Sequence, residues 1–426
     1  MTARAVITGI GVVAPSGIGA DAHWKCVLAG QNRIGRITLF DPDRYPGQLA
    51  GEVADFDALH YADNRQVVQT DRWTHLGFAA TRLALADAAL PEVADDPYGY
   101  AVTLASSSGG NLFGQRELQR LWRGPARTVG AYQSIAWFYA ASVGQISIRH
   151  QFKGPCGVLA AEAAGGLDSL AHAARMIRRG TPVVLAGGTE CPLSPYALTC
   201  QLRSGLLSAC PEPDRAYRPF DVAASGYVPG EGGAVFVVED LDHALARGAD
   251  TIYAEVAGWG ASHDARHTDQ PAGAGPLDGG DVDGTQYARA IRLALTRAQI
   301  DPAEVDVVFP DALGVPRYDR SEAAALRTVF GQQPPPVTTQ KPLTGRAHQG
   351  GSALDVATAL LAMRHGTLPP TAGPDRPAPG CELDFVRESG PRRVDVALVC
   401  ARGFDGFNSA VALRRGPVEV SRWRRV

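Results

Sequence analysis

One segment of the chain, from Gly154 to Asp168, could carry chemistry because of the turn at its centre. The apolar run from Val158 to Ala161 predicts a buried strand, and apolar residues at helical spacing predict a helix from about Leu167. A sharp turn between a strand and a helix can expose one side chain at its apex, and in hydrolases that side chain is the nucleophile. The apex here is Ala163, whose methyl group can attack nothing. The segment therefore has the architecture of a nucleophile site without the nucleophile.

The composition limits the classes of partner that we expect. At 426 residues, 45% apolar and 20% charged, the chain is long enough for two halves with cores of their own. Its 41 Lys and Arg nearly balance its 44 Asp and Glu, so the formal net charge is −3. The short basic tail at Arg422, Arg424 and Arg425 is interpreted as a solvated terminus. We therefore expect neither nucleic acid nor a membrane as a partner.

The cysteines and the first residues of the chain indicate the cellular compartment in which we expect the protein. None of the seven cysteines has CxxC spacing, and most lie in apolar surroundings, which is typical of reduced thiols in a cytosolic protein. The chain enters a strand within a few residues, so we predict no signal peptide, and no apolar run reaches the ~18 residues of a membrane-spanning helix. We expect a cytoplasmic protein without a metal or a cofactor. The stretch Gly9-Ile-Gly11 fails as a dinucleotide motif because alanine replaces the third glycine of GxGxxG.

Short apolar strands alternate with helices along the chain. The stretch Thr70-Asp71-Arg72 is predicted to cap a helix, residues 34–62 are predicted to be rich in loops, and 269–283 to form an exposed loop. This alternation restarts near residue 250 and indicates an α/β fold with covered sheets in two halves, 1–250 and 251–426. Strands are predicted at 5–8, 98–105, 182–186, 235–239, 252–257, 305–309, 394–400 and 409–413, and helices at 24–29, 73–89, 111–122, 135–148, 286–298, 322–329 and 355–365.

Several long motifs, in this order along the chain, resemble the β-ketoacyl-acyl carrier protein synthases of the thiolase superfamily. The strongest is Arg218-Pro-Phe-Asp221 followed by Gly226-Tyr-Val-Pro-Gly-Glu-Gly-Gly233. The resemblance covers essentially the whole chain and implies a thiolase-like fold, with two pseudo-twofold-related halves in an αβαβα layered sandwich. Further motifs resemble more narrowly the chain length factor, the β subunit of type II polyketide ketosynthases: 136–150, 161–168, 311–316 and 341–346.

The resemblance implies that the active site of the catalytic relatives is lost here. In those relatives a Cys at the apex takes the acyl chain as a thioester, and two His residues assist decarboxylation and stabilise the enolate. Matched motif by motif, these positions are Ala163, Asp311 and Arg346. Alanine supplies no thiolate, ionised Asp311 would repel an enolate, and Arg346 stays protonated and cannot exchange protons. We therefore predict no catalytic residues, and an alternative role for Asp311 and Arg346 as a structural ion pair.

Three residues near these positions in sequence carry groups that could replace the lost ones. Cys156 precedes the apex by seven residues, roughly 23 Å along an extended strand, and is unsuited to the same pocket. His348 follows Arg346 by two residues, and no carboxylate partner can be named for it, so an ordinary packed or solvated histidine is favoured. Glu162 beside the apex is interpreted as hydrogen-bonded or at an interface rather than as a base.

The apex also departs from the pattern of most chain length factors. In those proteins the position carries Gln, which has been linked to decarboxylation of malonyl carrier protein. Ala163 has no amide to polarise a thioester carbonyl. We therefore predict no decarboxylase activity from this chain alone.

A fold kept without its nucleophile indicates a binding role. The resemblance implies a heterodimer with a catalytic ketosynthase α subunit, across a pseudo-twofold interface that helps form a tunnel for the growing chain. Asn111, Gly114 and Leu118 share one helical face, and with Tyr196 they match the positions associated with the tunnel wall. Plain interface packing is the alternative. Glycine inside a helix costs ~1 kcal/mol relative to alanine, which favours a reason such as making room at Gly114.

Two functions from different classes therefore remain. The first is a non-catalytic subunit that sets polyketide chain length, working with an acyl carrier protein that docks chiefly on the catalytic partner. The second is an autonomous acyl-transfer or condensing enzyme with a relocated nucleophile. Phe404, within Gly403-Phe-Asp-Gly-Phe-Asn408, matches the gate residue of catalytic relatives and is expected to be structural here.

Overall fold

One long mixed sheet runs through the part of the chain that the computed structural model describes, residues 3–123, 125, 128–265 and 284–416. Two further two-stranded sheets lie outside it. Within these residues the strands are β1 Ala5–Ala14, β2 Gly17–Ile18, β3 Ile34–Arg36, β4 Leu49–Gly51, β5 Tyr100–Ala105, β6 Cys156–Leu159, β7 Val183–Glu190, β8 Gly232–Asp240, β9 Ala254–His263, β10 Val307–Phe309, β11 Thr367–Leu368, β12 Gly390–Pro391, β13 Val396–Gly403 and β14 Phe407–Arg415.

The helices alternate with these strands. No helix in the described ranges is long and apolar enough to cross a membrane. Short 3-10 turns also occur, including Glu162–Ala164 and Phe404–Gly406. The α-helices are α1 Ala20–Leu28, α2 Asn64–Gln69, α3 Arg72–Asp87, α4 Asn111–Arg123, α5 Gln133–Ala136, α6 Ala141–His150, α7 Gly165–Arg178, α8 Pro195–Arg203, α9 Leu241–Ala246, α10 Thr285–Ala298, α11 Pro316–Phe330, α12 Lys341–Thr344 and α13 His348–His365.

The main sheet consists of two groups of strands, which we call flanks. They are joined only by a short pairing between β1 and β9, which we call the seam. Its strand order is β10-β13-β14-β9-β1-β8-β7-β5-β6, with β2 paired to β1. Within each flank neighbouring strands pair over most of their length, but β1 and β9 pair only through Val6 with Glu255 and Ile7 with Ala254. The seam lets the two flanks turn their inner faces towards a shared layer of helices.

Three apolar cores define five layers of helix and sheet. The central core packs α7 and α13 between the inner faces of both flanks. A second core packs α3 and α6 on the outer face of the flank that holds β1, β5, β7 and β8. A third packs α10 and α11 on the outer face of the flank that holds β10, β13 and β14. This αβαβα order confirms the predicted thiolase-like sandwich.

The first strand is longer than predicted. We expected a strand at 5–8 that turns into a loop, but β1 continues to Ala14 as a buried strand. Gly9 and Gly11 allow this, because a Cβ on either residue would lie 2.3 or 1.9 Å from a carbonyl oxygen of α3. The two glycines therefore allow the strand to pack closely against the helix. The prediction is wrong because it places the start of a loop at these glycines.

The predicted buried strand at 158–161 is wrong in position and in burial. The strand is β6, Cys156–Leu159, and its residues are exposed or half-buried. It is parallel to β5 on one side and ends the sheet on the other. An apolar run at the edge of a sheet is covered only if another chain covers it, which the sequence of one chain cannot reveal.

The single helix predicted at 135–148 is also wrong. The structure has two helices, α5 and α6, separated by the exposed aromatic residues Trp137, Phe138 and Tyr139. The break is held by the backbone, since the Gly110 N–H donates to the Trp137 carbonyl at 3.2 Å. The three consecutive aromatic residues thus lie on a bend between two helices instead of within one helix.

Other elements agree with the prediction more closely. Asp71 caps α3 by accepting from the Trp73 N–H, as predicted. The segment 34–62 is mostly loop but contains the short pair β3 and β4, and α13 begins earlier than predicted, at His348. The predicted loop at 269–283 and the tail arginines at 422, 424 and 425 lie outside the described residues.

Candidate functional site

The apex lies where β6 passes into α7 through the 3-10 turn Glu162–Ala164. Glu162 has a positive φ of 45°, which marks a tight, strained turn, and Ala163 is 1% exposed. Ser352 Oγ of α13 donates to the Ala163 carbonyl at 2.6 Å. A Cβ on Gly166 would lie 2.4 Å from the Gln349 carbonyl oxygen, so α7 starts in direct contact with α13. The turn keeps the geometry of an apex and presents only a methyl group there.

Asp311 and Arg346 form a buried ion pair beside this apex. Arg346 Nη1 donates to both carboxylate oxygens of Asp311 at 3.1 Å, and the two side chains are 2–3% exposed. Arg346 Nη2 donates to the Arg402 carbonyl at 2.8 Å. Burial opposes the charge of Arg346, but Asp311 and Glu162 raise its pKa well above the usual value. The ion pair that the sequence offered as an alternative is confirmed.

Glu162 extends this pair into a longer chain of charges. Its carboxylate accepts from Arg346 Nη2 at 3.3 Å, from the Phe404 N–H at 2.8 Å and from His348 Nδ1. Burial alone would raise the pKa of Glu162, but the charges of Arg346 and His348 hold it well below its ordinary range. We call Asp311, Arg346, Glu162 and His348 the ionic chain.

The ionic chain corrects the prediction for His348. The sequence named no carboxylate partner for this histidine, whereas the structure places Glu162 Oε1 within hydrogen-bonding distance of its Nδ1. Because an ionised carboxylate only accepts, Nδ1 carries the proton in this contact. Glu162 is hydrogen-bonded, as predicted, and its partners come from two separate segments, 346–348 and the turn at Phe404. Cys156 begins β6, where it pairs with Val102.

The segment with Phe404 is tied to the apex by its backbone. Its N–H donates to Glu162 Oε2, and a Cβ on Gly403 would lie 2.2 Å from the Ala161 carbonyl oxygen. The Phe404 side chain is 44% exposed, so its ring is not packed into the core. The structure therefore brings the gate-loop position to the apex and fixes it there through Glu162.

A second buried pair behind the ionic chain escaped the sequence analysis. Lys341 Nζ contacts Asp355 Oδ2 and donates to the Pro310 carbonyl at 2.9 Å, next to Asp311. Both side chains are almost fully buried, and burial raises the pKa of Asp355 to about 6 although the Lys341 ammonium opposes the rise. The sequence around Lys341 is largely polar from 338 to 346, so it carries no local signal that this lysine is buried. The pair holds the backbone that carries Asp311.

The four tunnel candidates lie together on the surface of the chain. The Tyr196 N–H donates to Gln115 Oε1 at 2.9 Å, which joins the start of α8 to α4. Leu118 is 48% exposed and Tyr196 is 55% exposed, whereas Gly114 is buried and Asn111 half-buried. The predicted face of α4 therefore exists and is partly open to solvent.

Around this face the chain exposes an apolar surface. Most of its members lie between residues 118 and 148, the stretch that precedes the edge strand β6 in sequence, and Tyr196 lies at the start of α8. We use the name aromatic surface for its large side chains, which are Leu118, Trp122, Val129, Tyr132, Trp137, Phe138, Tyr139, Ile148 and Tyr196.

Comparisons with known proteins agree with this architecture. The β-ketoacyl synthase N-terminal domain matches residues 2–244, and the β-ketoacyl synthase C-terminal domain matches 253–374. The tetracenomycin polyketide synthase ketoacyl synthase β subunit of Streptomyces glaucescens is 50% identical over 418 residues, which is 97% of this chain and 98% of the relative.

Two solved structures have the same fold. The ishigamide ketosynthase/chain length factor superposes with a TM-score of 0.89 at 28% identity, covering 98% of this chain and 100% of that chain. A type II polyketide synthase ketosynthase, solved with its acyl carrier protein and bound to the hexaketide, superposes with a TM-score of 0.84 at 26% identity and the same coverage. The chain therefore belongs to the β-ketoacyl synthase family, and within it to the β subunits of polyketide ketosynthases.

Proposed function

We propose that this chain is a non-catalytic chain length factor. It pairs with a catalytic ketosynthase α subunit and shapes the tunnel that sets polyketide length during decarboxylative Claisen condensation on acyl carrier protein. The observation that carries the proposal is the state of the apex: Ala163 stands at the turn, and Asp311 and Arg346 are bonded to each other. A complete scaffold therefore surrounds an apex that has no nucleophile, beside a buried pair whose two members are bonded to each other.

The ionic chain explains why the site has no condensing chemistry of its own. A thioester requires a thiolate, and the apex methyl group supplies none. Stabilising an enolate requires donors aimed at the developing charge. Both Nη atoms of Arg346 already donate to Asp311, Glu162 and the Arg402 carbonyl, and the carboxylates would repel an incoming anion.

Two features of the surface support the heterodimer. Strand β6 leaves one edge of the main sheet open, and the aromatic surface lies in the segments on either side of it in sequence. Exposed strand edges and large apolar patches are stable in water only when a partner covers them. The solved relatives include a ketosynthase/chain length factor and a ketosynthase with its carrier protein, and we carry both partners over to this chain.

Two smaller assignments belong to the same proposal. We assign residues 1–250 and 251–426 to the two thiolase-like halves, because the sheet seam joins β1 to a strand that starts just after residue 250. We also assign the protein to the cytoplasm. Its seven cysteines, all within the described residues, are free thiols, as expected in a reducing compartment.

Co-expression with a Cys-bearing ketosynthase α subunit tests the proposal. We expect the pair to copurify as a heterodimer and to make polyketide from malonyl carrier protein, and the chain alone to release no CO2. Replacing the α-subunit Cys by Ala should abolish all product. Condensation by the chain alone, or by the pair with the blocked α subunit, would instead establish an autonomous enzyme with a relocated nucleophile.

A further inference from the structure

The indole of Trp137 occupies space that a glycine leaves open on helix α4. A Cβ on Gly114 would lie 2.7 Å from Trp137 Cδ1 and 3.6 Å from its Nε1, so the edge of the indole rests on the Gly114 Cα. Cβ contacts this short do not occur in proteins, so a side chain at position 114 and the indole in this position exclude each other. The position of the indole therefore requires glycine at 114.

The backbone around Trp137 is held by two more glycines. A Cβ on Gly110 would lie 1.9 Å from the Ala136 carbonyl oxygen, and one on Gly109, where φ is +59°, would lie 2.7 Å from the Trp137 carbonyl oxygen. The Gly110 N–H donates to that same carbonyl at 3.2 Å. We call Gly109, Gly110 and Gly114 the glycine cradle. Because three close approaches hold one residue, the placement of Trp137 is defined by backbone as well as by side-chain contacts.

The large side chain on this face of α4 comes from another segment of the chain and not from α4 itself. Asn111, Gly114 and Leu118 share the face, and its middle position has no side chain of its own. Trp137 covers that position while remaining 53% exposed, which leaves much of its ring on the aromatic surface. The largest group presented beside Gly114 is thus the indole from the loop between α5 and α6.

We propose that Trp137 is a specificity-determining residue that limits the length of the growing acyl chain. The inference rests on the proposed function, because it requires a tunnel along the α4 face in the heterodimer. A rigid indole blocks a thin flexible chain at low entropic cost. Each two-carbon unit lengthens an extended chain by about 2.5 Å, so removal of the indole makes room for about one or two further units.

The test is a product-length measurement on the reconstituted complex of this chain with its ketosynthase α subunit, carrier protein and malonyl donor. Trp137→Ala and Trp137→Phe are compared with wild type by mass spectrometry of the products, with assembly checked by gel filtration. We expect Trp137→Ala to shift the main product up by about one or two two-carbon units, with a smaller shift for Trp137→Phe. Tyr98→Ala, which removes a 70% exposed aromatic ring outside the aromatic surface, should leave the product length unchanged.

A double-mutant cycle separates the cradle from general loss of packing. Gly114→Ala pushes the indole outwards and should shorten the product, whereas the same change in the Trp137→Ala background should have no further effect. Unchanged product length in assembled, active Trp137→Ala and Trp137→Phe complexes would overturn the inference, as would equal effects of Gly114→Ala in both backgrounds.

A third variant distinguishes failure of the inference from failure of the proposed function. Leu118→Trp adds bulk on the same face without touching the cradle, so it should shorten the product if a tunnel runs there. Shortening by Leu118→Trp with no effect at Trp137 would refute only the role of the indole. No effect from any of these variants would refute the tunnel itself.

Discussion

Arg346 donates through Nη1 to both carboxylate oxygens of Asp311, at 3.1 Å each, in a place that is almost closed to water. From the resemblance of their motifs, we expect these two residues at the positions of the proton-handling histidines of catalytic relatives. Each side chain is a partner for the buried charge of the other. Removing Arg346 therefore leaves Asp311 as an uncompensated buried charge, whereas removing Asp311 leaves Arg346 with Glu162 as its remaining carboxylate partner.

The first prediction concerns the stability that depends on this pair. Asp311→Ala should lower the free energy of unfolding by about 3–5 kcal/mol, because the buried guanidinium loses its nearest carboxylate. Urea denaturation of the purified complex measures the change. Arg393→Ala removes an exposed ion pair with Asp395 and should leave the unfolding midpoint where it is. Equal midpoints for Asp311→Ala and wild type would mean that the pair contributes no net stability.

The second prediction concerns an attempt to restore the nucleophile. Ala163→Cys should produce no condensing enzyme, because Asp311 and Arg346 remain bonded to each other beside the apex and supply no proton acceptor or free donor for the reaction. The measurement is CO2 release and product formation by the complex whose α-subunit Cys has been replaced by Ala. Activity from Ala163→Cys in that background would show that the ionic chain does not prevent catalysis.

The third prediction concerns the segment that carries Phe404. Glu162→Gln removes the charge of the carboxylate that accepts from the Phe404 N–H. The variant should therefore increase the local opening of residues 403–408. Hydrogen bonds to charged groups contribute about 1.5–3 kcal/mol, so amide exchange of this segment should rise by about 10–100-fold. Hydrogen-exchange mass spectrometry of the complex measures it. His348→Ala keeps the Phe404 contact and is the matched control, with a smaller increase expected; identical exchange in Glu162→Gln and wild type would contradict the tether.

The fourth prediction concerns pH. Asp319 is fully buried and accepts from the N–H groups of Phe220 and Gly314, yet burial raises its pKa to about 8. Between its unfolded pKa of about 4 and this folded value, the folded state binds more protons than the unfolded state. Stability therefore falls as pH rises across that window.

Asp319→Asn should remove this component of the pH dependence, because the amide cannot ionise. Denaturation at several values between pH 5 and 8 should show a flatter profile for the variant than for wild type. Asp301→Asn, at the exposed cap of the 3-10 turn before β10, keeps the wild-type slope and is the control. If the stability of Asp319→Asn falls with pH as steeply as that of wild type, the pH dependence arises from other groups.

Several features could be predicted from residues close together in the sequence. The missing nucleophile at Ala163 was visible directly, and Asp71 predicted the start of α3 because a cap acts within three residues. The alternation of strands and helices predicted the layered fold, which the cores confirm. The ion pair of Asp311 and Arg346 followed from matched motifs, since each motif occupies a defined position in the fold.

The tertiary structure alone decided the remaining features, because they depend on which distant segments meet. Glu162 and His348 are 186 positions apart, and nothing local in either segment names the other. Strand β6 is apolar in sequence like a buried strand, yet it is exposed because no strand of this chain lies beyond it. The sequence favours a glycine at 114 that makes room, and only the packing of the α5–α6 loop shows that Trp137 lies in that space. Local patterns specify elements, whereas burial and pairing are set by the contacts between them.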